Sequence, residues 1–259
     1  ERTERWDLYK LVLRKIEILK ELDKTTEVEA TISEFLYLPE IRRQEVAKLL
    51  DEKCYEKAIC MLNEGIVIAE RGGNLGTLRE WQEQLLFIYE EVHDVAKVIE
   101  MCQLLFIHTN GSLDYYHKLK SLISSTDWKE YLSTLMQETT FYDYWGSGNN
   151  KADIYIEEKE YDKLFSFLSA VKYRRLDALV QYASHLNATH SSQILSLFTD
   201  DLRVYAEKNL GRSHYEYIAR VLRGMRKLNG GKDVVKQLVE EFRVLYKRRP
   251  AMMQELGEF

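Results

Sequence analysis

The chain has 259 residues, 45% of them hydrophobic and 31% charged, with 12 glycines but only 2 prolines. So few turn residues argue against a β-sandwich or barrel of this length and favour helices, and no apolar run approaches the roughly 18 residues that a membrane-spanning helix needs. The net charge of −5 hides an asymmetry: residues 203–250 hold 13 Lys and Arg against 5 Asp and Glu, whereas residues 1–202 hold 24 against 35, so a basic end follows an acidic body.

Apolar residues recur three and four positions apart from the start. Trp6, Tyr9, Leu13, Ile16 and Leu19 mark a first helix that ends near Asp23 and Lys24. Thr25 or Thr26 is expected to cap a short second helix. It stops before Pro39, because the residue preceding a proline is pushed away from helical angles. Pro39 suits the first turn of a third helix, which runs to Glu52. The next is expected to bury Tyr55, Ile59, Leu62 and Ile66 and to end at Gly72 and Gly73. Trp81, Leu85, Ile88 and Tyr89 form another stripe, broken near His93 and Asp94. Val95, Ile99, Cys102 and Phe106 form the stripe after that. Further helices are expected from Leu113 to Ile123 and from Trp128 to Met136, the latter capped by Ser125-Thr126-Asp127. "TTFYDYWGSGNNK" (139–151) reads as a glycine- and asparagine-rich linker. Beyond it come helices around Tyr155 and Tyr161, then from Leu176 to Leu186, Ser192 to Lys208, Ser213 to Leu228 and Val234 to Lys247, with Asn229-Gly230-Gly231 between the last two. Fourteen or so helices and no strand follow.

Three stretches repeat one another: "LLDEKCYEKAICML" (49–62), "YEEVHDVAKVIEMC" (89–102) and "YIEEKEYDKLFSFL" (155–168). Each has an early acidic residue (Asp51, Glu91, Glu157) and a later lysine (Lys57, Lys97, Lys163). Each reads as a helix, a tight polar turn and a second helix. A lone helix pair buries too little surface, but stacked pairs share a continuous core, so an α-solenoid is expected.

These units resemble tetratricopeptide repeats. Ala58 fits that repeat's small-residue position, but Val98 and Leu164 occupy it in the echoes, and the repeat's glycine and closing proline are missing. The resemblance implies an all-α, tetratricopeptide-like solenoid, a right-handed superhelix of antiparallel helix pairs. Its expected parts are an N-terminal segment (1–140), an aromatic, glycine- and asparagine-rich linker (141–150) and a C-terminal segment with the basic end (151–259).

A wider resemblance covers most of the chain. "AICMLNEGIVIAERGG", "LLFIYEEVHDVAKVIEMCQLLF", "DYYHKLKSL", "ADIYIEEKEYDKLFSFL" and "EEFRVLYKRRPAMMQEL" are similar to the C-terminal helical region of bacterial SWIM zinc-finger family proteins. That resemblance implies a bacterial, cytoplasmic protein of which this chain is one part, in keeping with a start at Glu1 inside a helix-like pattern. The family's Cys-x-Cys and Cys-x-His zinc pattern is absent here, so no zinc ligand is carried over to this chain.

The residues offer little chemistry. Cys54, Cys60 and Cys102 are odd in number and read as small buried hydrophobes in a reducing compartment. "RGGNLG" (71–76) lacks the Lys-Ser/Thr and preceding strand of a phosphate-binding loop and reads as a helix-ending turn. Cys102 with His108 has a competing reading as a metal pair, but Cys102 falls on a core stripe. His190 with Ser191 and Ser192, near Asp200 and Asp201, is explained by local capping and solvation. The expectation is therefore no catalysis, no cofactor and no metal.

Two surfaces remain. Tyr142, Tyr144 and Trp145 either anchor a partner or plug the seam between two helical segments. On the basic end, Arg220, Arg223 and Lys227 lie opposite the apolar Ile218, Val221, Leu222 and Met225. Lys236, Arg243 and Lys247 lie opposite Val235, Leu238, Phe242 and Leu245, and Arg248 and Arg249 extend that line. Such a cluster serves a helix end, an acidic protein surface or a phosphate backbone. The expected function is a non-catalytic scaffold that binds a protein partner or the remainder of its own polypeptide. The alternative is a nucleic-acid-binding accessory module acting through these basic residues.

Overall fold

The computed structural model describes residues 2–141 and 149–259, with side chains from Trp6 onward. Fifteen α-helices and no strand occur among the described residues. In order they are α1 (Arg2–Glu21), α2 (Thr25–Phe35), α3 (Pro39–Asp51), α4 (Tyr55–Arg71), α5 (Leu75–Glu91), α6 (Val95–His108), α7 (Leu113–Leu122) and α8 (Trp128–Glu138). Then follow α9 (Asn150–Glu157), α10 (Tyr161–Ala170), α11 (Arg175–Tyr182), α12 (Ser191–Lys208), α13 (Arg212–Met225), α14 (Gly231–Leu245) and α15 (Pro250–Glu255). Short 3-10 turns cover Ala183–Leu186 and Leu256–Glu258. The chain divides into two compact units, Glu1–Thr140 and Phe141–Phe259. None of the helices is long and apolar enough to cross a membrane, among the described residues.

In the first unit each helix packs chiefly on its neighbours in sequence: α1 on α2, α3 on α4, α4 on α5, α5 on α6, and α6 on α7 and α8. One backbone device joins several of them. At Lys53, Gly73 and His93, twenty residues apart, the chain turns into the left-handed region with φ of 56°, 64° and 57°. At each of them the amide donates to the carbonyl three residues back, at 3.0–3.1 Å, and the next amide donates to the carbonyl five back, at 2.7–2.9 Å. This pair of bonds is the Schellman ending, which satisfies helix carbonyls that would otherwise lack partners. Asp23 and, in the second unit, Lys159 close helices the same way. The echo in the sequence is thus a turn plus the helix it launches, and its offset of forty spans two such helices.

The buried stripe obeys the same period. Ala58, Leu78 and Val98 are buried at equivalent positions, as are Leu62, Gln82 and Cys102, and Gly65, Leu85 and Leu105. The expected stripe on α4 is displaced around the helix. Tyr55, Ile59 and Ile66 are only half-buried, while Ala58, Leu62, Gly65 and Ala69 face the core. Small side chains let the backbones approach, so the closest helix contact falls on residues that carry little hydrophobic signal. For the same reason Val95 is exposed rather than buried, Cys60 is exposed, and Cys54 is half-buried at the N-cap of α4. Only Cys102 is a core cysteine. On α1 the core residues are Val12, Ile16 and Leu19, with Trp6 exposed. The N-cap of α2 is Lys24, not Thr25 or Thr26.

Gly65 has a specific task. A Cβ there would lie 2.7 Å from Arg42 Cδ and 3.0 Å from Trp81 Nε1. Its absence lets Arg42, whose side chain is 4% exposed, cross α4. The guanidinium donates to the Leu36 carbonyl at 3.1 Å and to the Met61 carbonyl, with Glu64 at 3.6 Å. Burial draws its pKa below the ordinary arginine value, and Glu64 opposes the shift.

The second unit has its own core, including Leu164, Leu168, Leu179, Phe198, Ile218, Leu222 and Phe242. Asn149 caps α9, its side chain accepting from the Lys151 and Ala152 amides, and the Asn149 amide donates to Tyr182 Oη at 2.7 Å. Asn187 and Asn229 bond each other's side chains and backbones, fixing the turn before α14. There Gly230 has φ of 76°, and a Cβ on Gly231 would sit 1.9 Å from the Met225 carbonyl oxygen. Downstream, the short α15 opens with Pro250 and buries Met252, and Leu256 is buried in the turn after it. Leu245, expected in the core, is exposed, because α14 ends there and only Val235, Leu238, Val239 and Phe242 face inward.

Candidate interaction groove

The basic residues singled out at the C-terminal end fall into four groups. Arg223 pairs with Glu258, Nε to Oε1 at 2.8 Å and Nη2 to Oε1 at 2.7 Å, and Arg243 Nη2 donates to the Leu256 carbonyl at 2.8 Å. Both fasten the C-terminal turn. Arg249 donates to the Ala206 carbonyl at 2.6 Å, in the last turn of α12, and stacks on Tyr246 with its Cζ 4.1 Å from the ring centre. A cation there meets the negative end of the helix dipole. Lys227, Lys236, Lys247 and Arg248 are exposed. Arg220 forms the fourth group alone, since it lines a groove that α13 shares with other segments.

That groove lies between the α10–α11 turn, α12 and α13, and encloses about 1180 Å³. Its shape begins at Arg174, a non-glycine residue with φ of 55° at the N-cap of α11. The left-handed turn projects Tyr173 into solvent at 79% exposure and sends two consecutive arginines in different directions. Arg175 grips Asp201 of α12 with both arms of its guanidinium, at 2.7 and 2.5 Å, and donates to the Ser169 carbonyl at the end of α10 at 3.1 Å. One side chain thereby ties three helices, and the bidentate bond raises its pKa. Arg174 Nε donates to Asp177 Oδ2 at 2.7 Å, and Tyr217 Oη donates to Asp177 Oδ1 at 2.8 Å.

Aromatic rings line one side. Tyr205 and Tyr217 stand 4.8 Å apart, Tyr205 Oη shares a hydrogen bond with His214 Nδ1 at 2.7 Å, and Arg220 Cζ lies 4.9 Å over Tyr217. Burial, reinforced by Asp177, pushes the Tyr217 hydroxyl pKa well above its ordinary value, so it stays a donor. Lys172, Lys208 and Arg220 also line the groove, and none has a hydrogen-bond or ion-pair partner among the described residues. Five cations there face two carboxylates, both already held by arginines or a tyrosine.

The other sequence candidates are placed as follows. Tyr142, Tyr144 and Trp145 lie outside the described residues. His108, itself exposed, bonds through Nδ1 to Oε1 of the buried Gln82 at 2.9 Å. Among the described residues no three His, Cys, Asp or Glu are grouped to hold a metal ion. His190 contacts Thr189 Oγ1 at 2.8 Å and Asp162 at 3.1 Å and stacks on Phe165. "RGGNLG" is the Schellman turn at Gly73. Asp201 does more than solvate a helix, since it anchors Arg175. The groove itself went unread in the sequence. Its one local trace is "VKYRRLD" (171–177), where helical periodicity lapses between two helices and three consecutive large side chains, Tyr173, Arg174 and Arg175, crowd one turn. No protein-family model, curated protein or solved structure matches this chain.

Proposed function

We propose that this chain is a non-catalytic helical-repeat scaffold, a tetratricopeptide-like α-solenoid part of a larger SWIM zinc-finger-like protein, which holds a protein partner in the groove between α11 and α13. The observation that carries the reading is the shared twenty-residue period of turn and buried stripe through α4, α5 and α6. Units that bury themselves chiefly against sequence neighbours spread into extended surfaces, and such surfaces suit polypeptide partners. The test is affinity capture by the full chain and by its Lys208→Glu/Arg220→Glu variant. The reading expects a protein that the unaltered chain retains and the variant releases. Retention of nothing, or equal retention by both, contradicts it.

The exposed Lys227, Lys236, Lys247 and Arg248, which have no ion-pair partner among the described residues, favour a second reading in which the basic end contacts nucleic acid. It requires binding that weakens steeply as salt rises from about 50 to 200 mM and is lost on charge reversal at Lys236, Lys247 and Arg248.

A further inference from the structure

We infer that the groove takes an acidic peptide segment, with one or two carboxylates flanking an apolar or aromatic side chain. This rests on the scaffold reading and names the chemistry of the partner. Three features of the groove point the same way.

First, its cations are of two kinds. Arg174 and Arg175 are committed to Asp177 and Asp201 and act as frame. Lys172, Lys208 and Arg220 line the same space without an anionic partner among the described residues, so the groove carries uncompensated positive charge where a ligand would lie. Second, Arg220 is preorganised. Its guanidinium lies over the ring of Tyr217, Cζ 4.9 Å from the centre, and Tyr217 is itself held by Asp177, while the guanidinium N–H groups have no protein acceptor among the described residues and are available to a carboxylate. Third, apolar surface adjoins the charge. Tyr173 is 79% exposed and Val204 is also exposed, both on the groove lining. Large aromatic surface beside fixed polar groups is the composition of a peptide anchor.

The fixed carboxylates decide between ligand classes. A phosphate backbone places a negative charge at every nucleotide and is favoured by an unbroken basic track. Asp177 and Asp201 interrupt the positive lining here, and a peptide with spaced carboxylates can align with the three unpaired cations and leave the two anions untouched.

The experiment presents the full chain to a random twelve-residue peptide library and compares selected sequences for the unaltered protein, for Arg220→Glu and for Lys172→Glu/Lys208→Glu. These side chains are exposed, so the variants keep the fold, which circular dichroism checks. The inference expects enrichment of Asp and Glu next to aromatic or aliphatic residues, lost in both variants, and at least tenfold weaker binding when the selected carboxylates become amides. No enrichment, enrichment of neutral or basic peptides, or the same motif in the variants overturns it. Tighter binding of a twelve-nucleotide oligothymidylate than of the best peptide at 150 mM salt also overturns it. If affinity capture retains a partner but no acidic motif emerges, this inference fails and the scaffold reading stands. If capture also retains nothing, the scaffold reading fails with it.

Discussion

Cys102 shows how the repeat governs single residues. It occupies the position held by Leu62 and Gln82 in the preceding helices, fully buried, and burial pushes its thiol pKa up to about 11. A raised thiol pKa means that the fold favours the protonated form. The stability this contributes is complete below the ordinary thiol range, near 9, and is lost as pH rises toward 11. At pH 8 iodoacetamide should therefore modify Cys60 in the folded chain and spare Cys102 until denaturant is added, a difference that mass spectrometry of the labelled peptides reads directly. Labelling of Cys102 at the rate of Cys60 would contradict its burial. Gly65 is equally sensitive. Gly65→Ala should lower stability by about 1–3 kcal/mol in urea unfolding, because the new methyl meets Arg42 Cδ at 2.7 Å. Gly65 also marks where the sequence misleads, whereas Cys102 was placed in the core correctly. Alanine and glycine lie at the closest helix approach yet carry weak hydrophobic signal, so a stripe drawn through Tyr55, Ile59 and Ile66 lands beside the true contact at Ala58, Leu62 and Gly65.

The unit of construction is a helix with its closing turn. Of five matching Schellman endings, only Gly73 is glycine; Asp23, Lys53, His93 and Lys159 take φ of 53–57° with a side chain attached. A left-handed residue with a Cβ costs about 1 kcal/mol relative to glycine. Lys53→Gly, His93→Gly and Lys159→Gly should each raise the unfolding free energy by about that much, and Gly73→Ala should lower it similarly. All four are readable as shifts in urea midpoint at constant slope. Gly231→Ala should be far worse, since no relaxation of a flexible side chain relieves a Cβ 1.9 Å from the Met225 carbonyl oxygen. The helices themselves were legible in the sequence: Pro39, Gly72-Gly73, His93-Asp94 and Asn229-Gly230-Gly231 all mark real boundaries. The twenty-residue period was not. Equivalent core positions hold Leu62, Gln82 and Cys102, which share burial but no chemistry, and the non-glycine turns give no compositional flag.

At the scale of the whole chain, each compact unit has a hydrophobic core of its own. Residues 1–140 and 149–259, expressed separately, should each be helical by circular dichroism and unfold cooperatively; a fragment that stays unfolded would show that its core is insufficient. The groove belongs wholly to the second unit, and a linear reading could not assemble it. It joins Arg175 to Asp201 and Asp177 to Tyr217, pairs 26 and 40 residues apart, around a left-handed arginine that no glycine announces. The basic end, by contrast, was legible as composition, although its residues divide between fastening the C-terminal turn, holding the end of α12, standing exposed and lining the groove. The central claim, that the groove is the contact surface, is tested most directly by placing a photo-crosslinking amino acid at Tyr173, at Lys236 and at Lys57 in the full chain within its native host. The account predicts one protein crosslinked from position 173, absent from positions 236 and 57, and lost when Arg220→Glu is added. Crosslinks that arise equally from all three positions, or only from position 236, would contradict it.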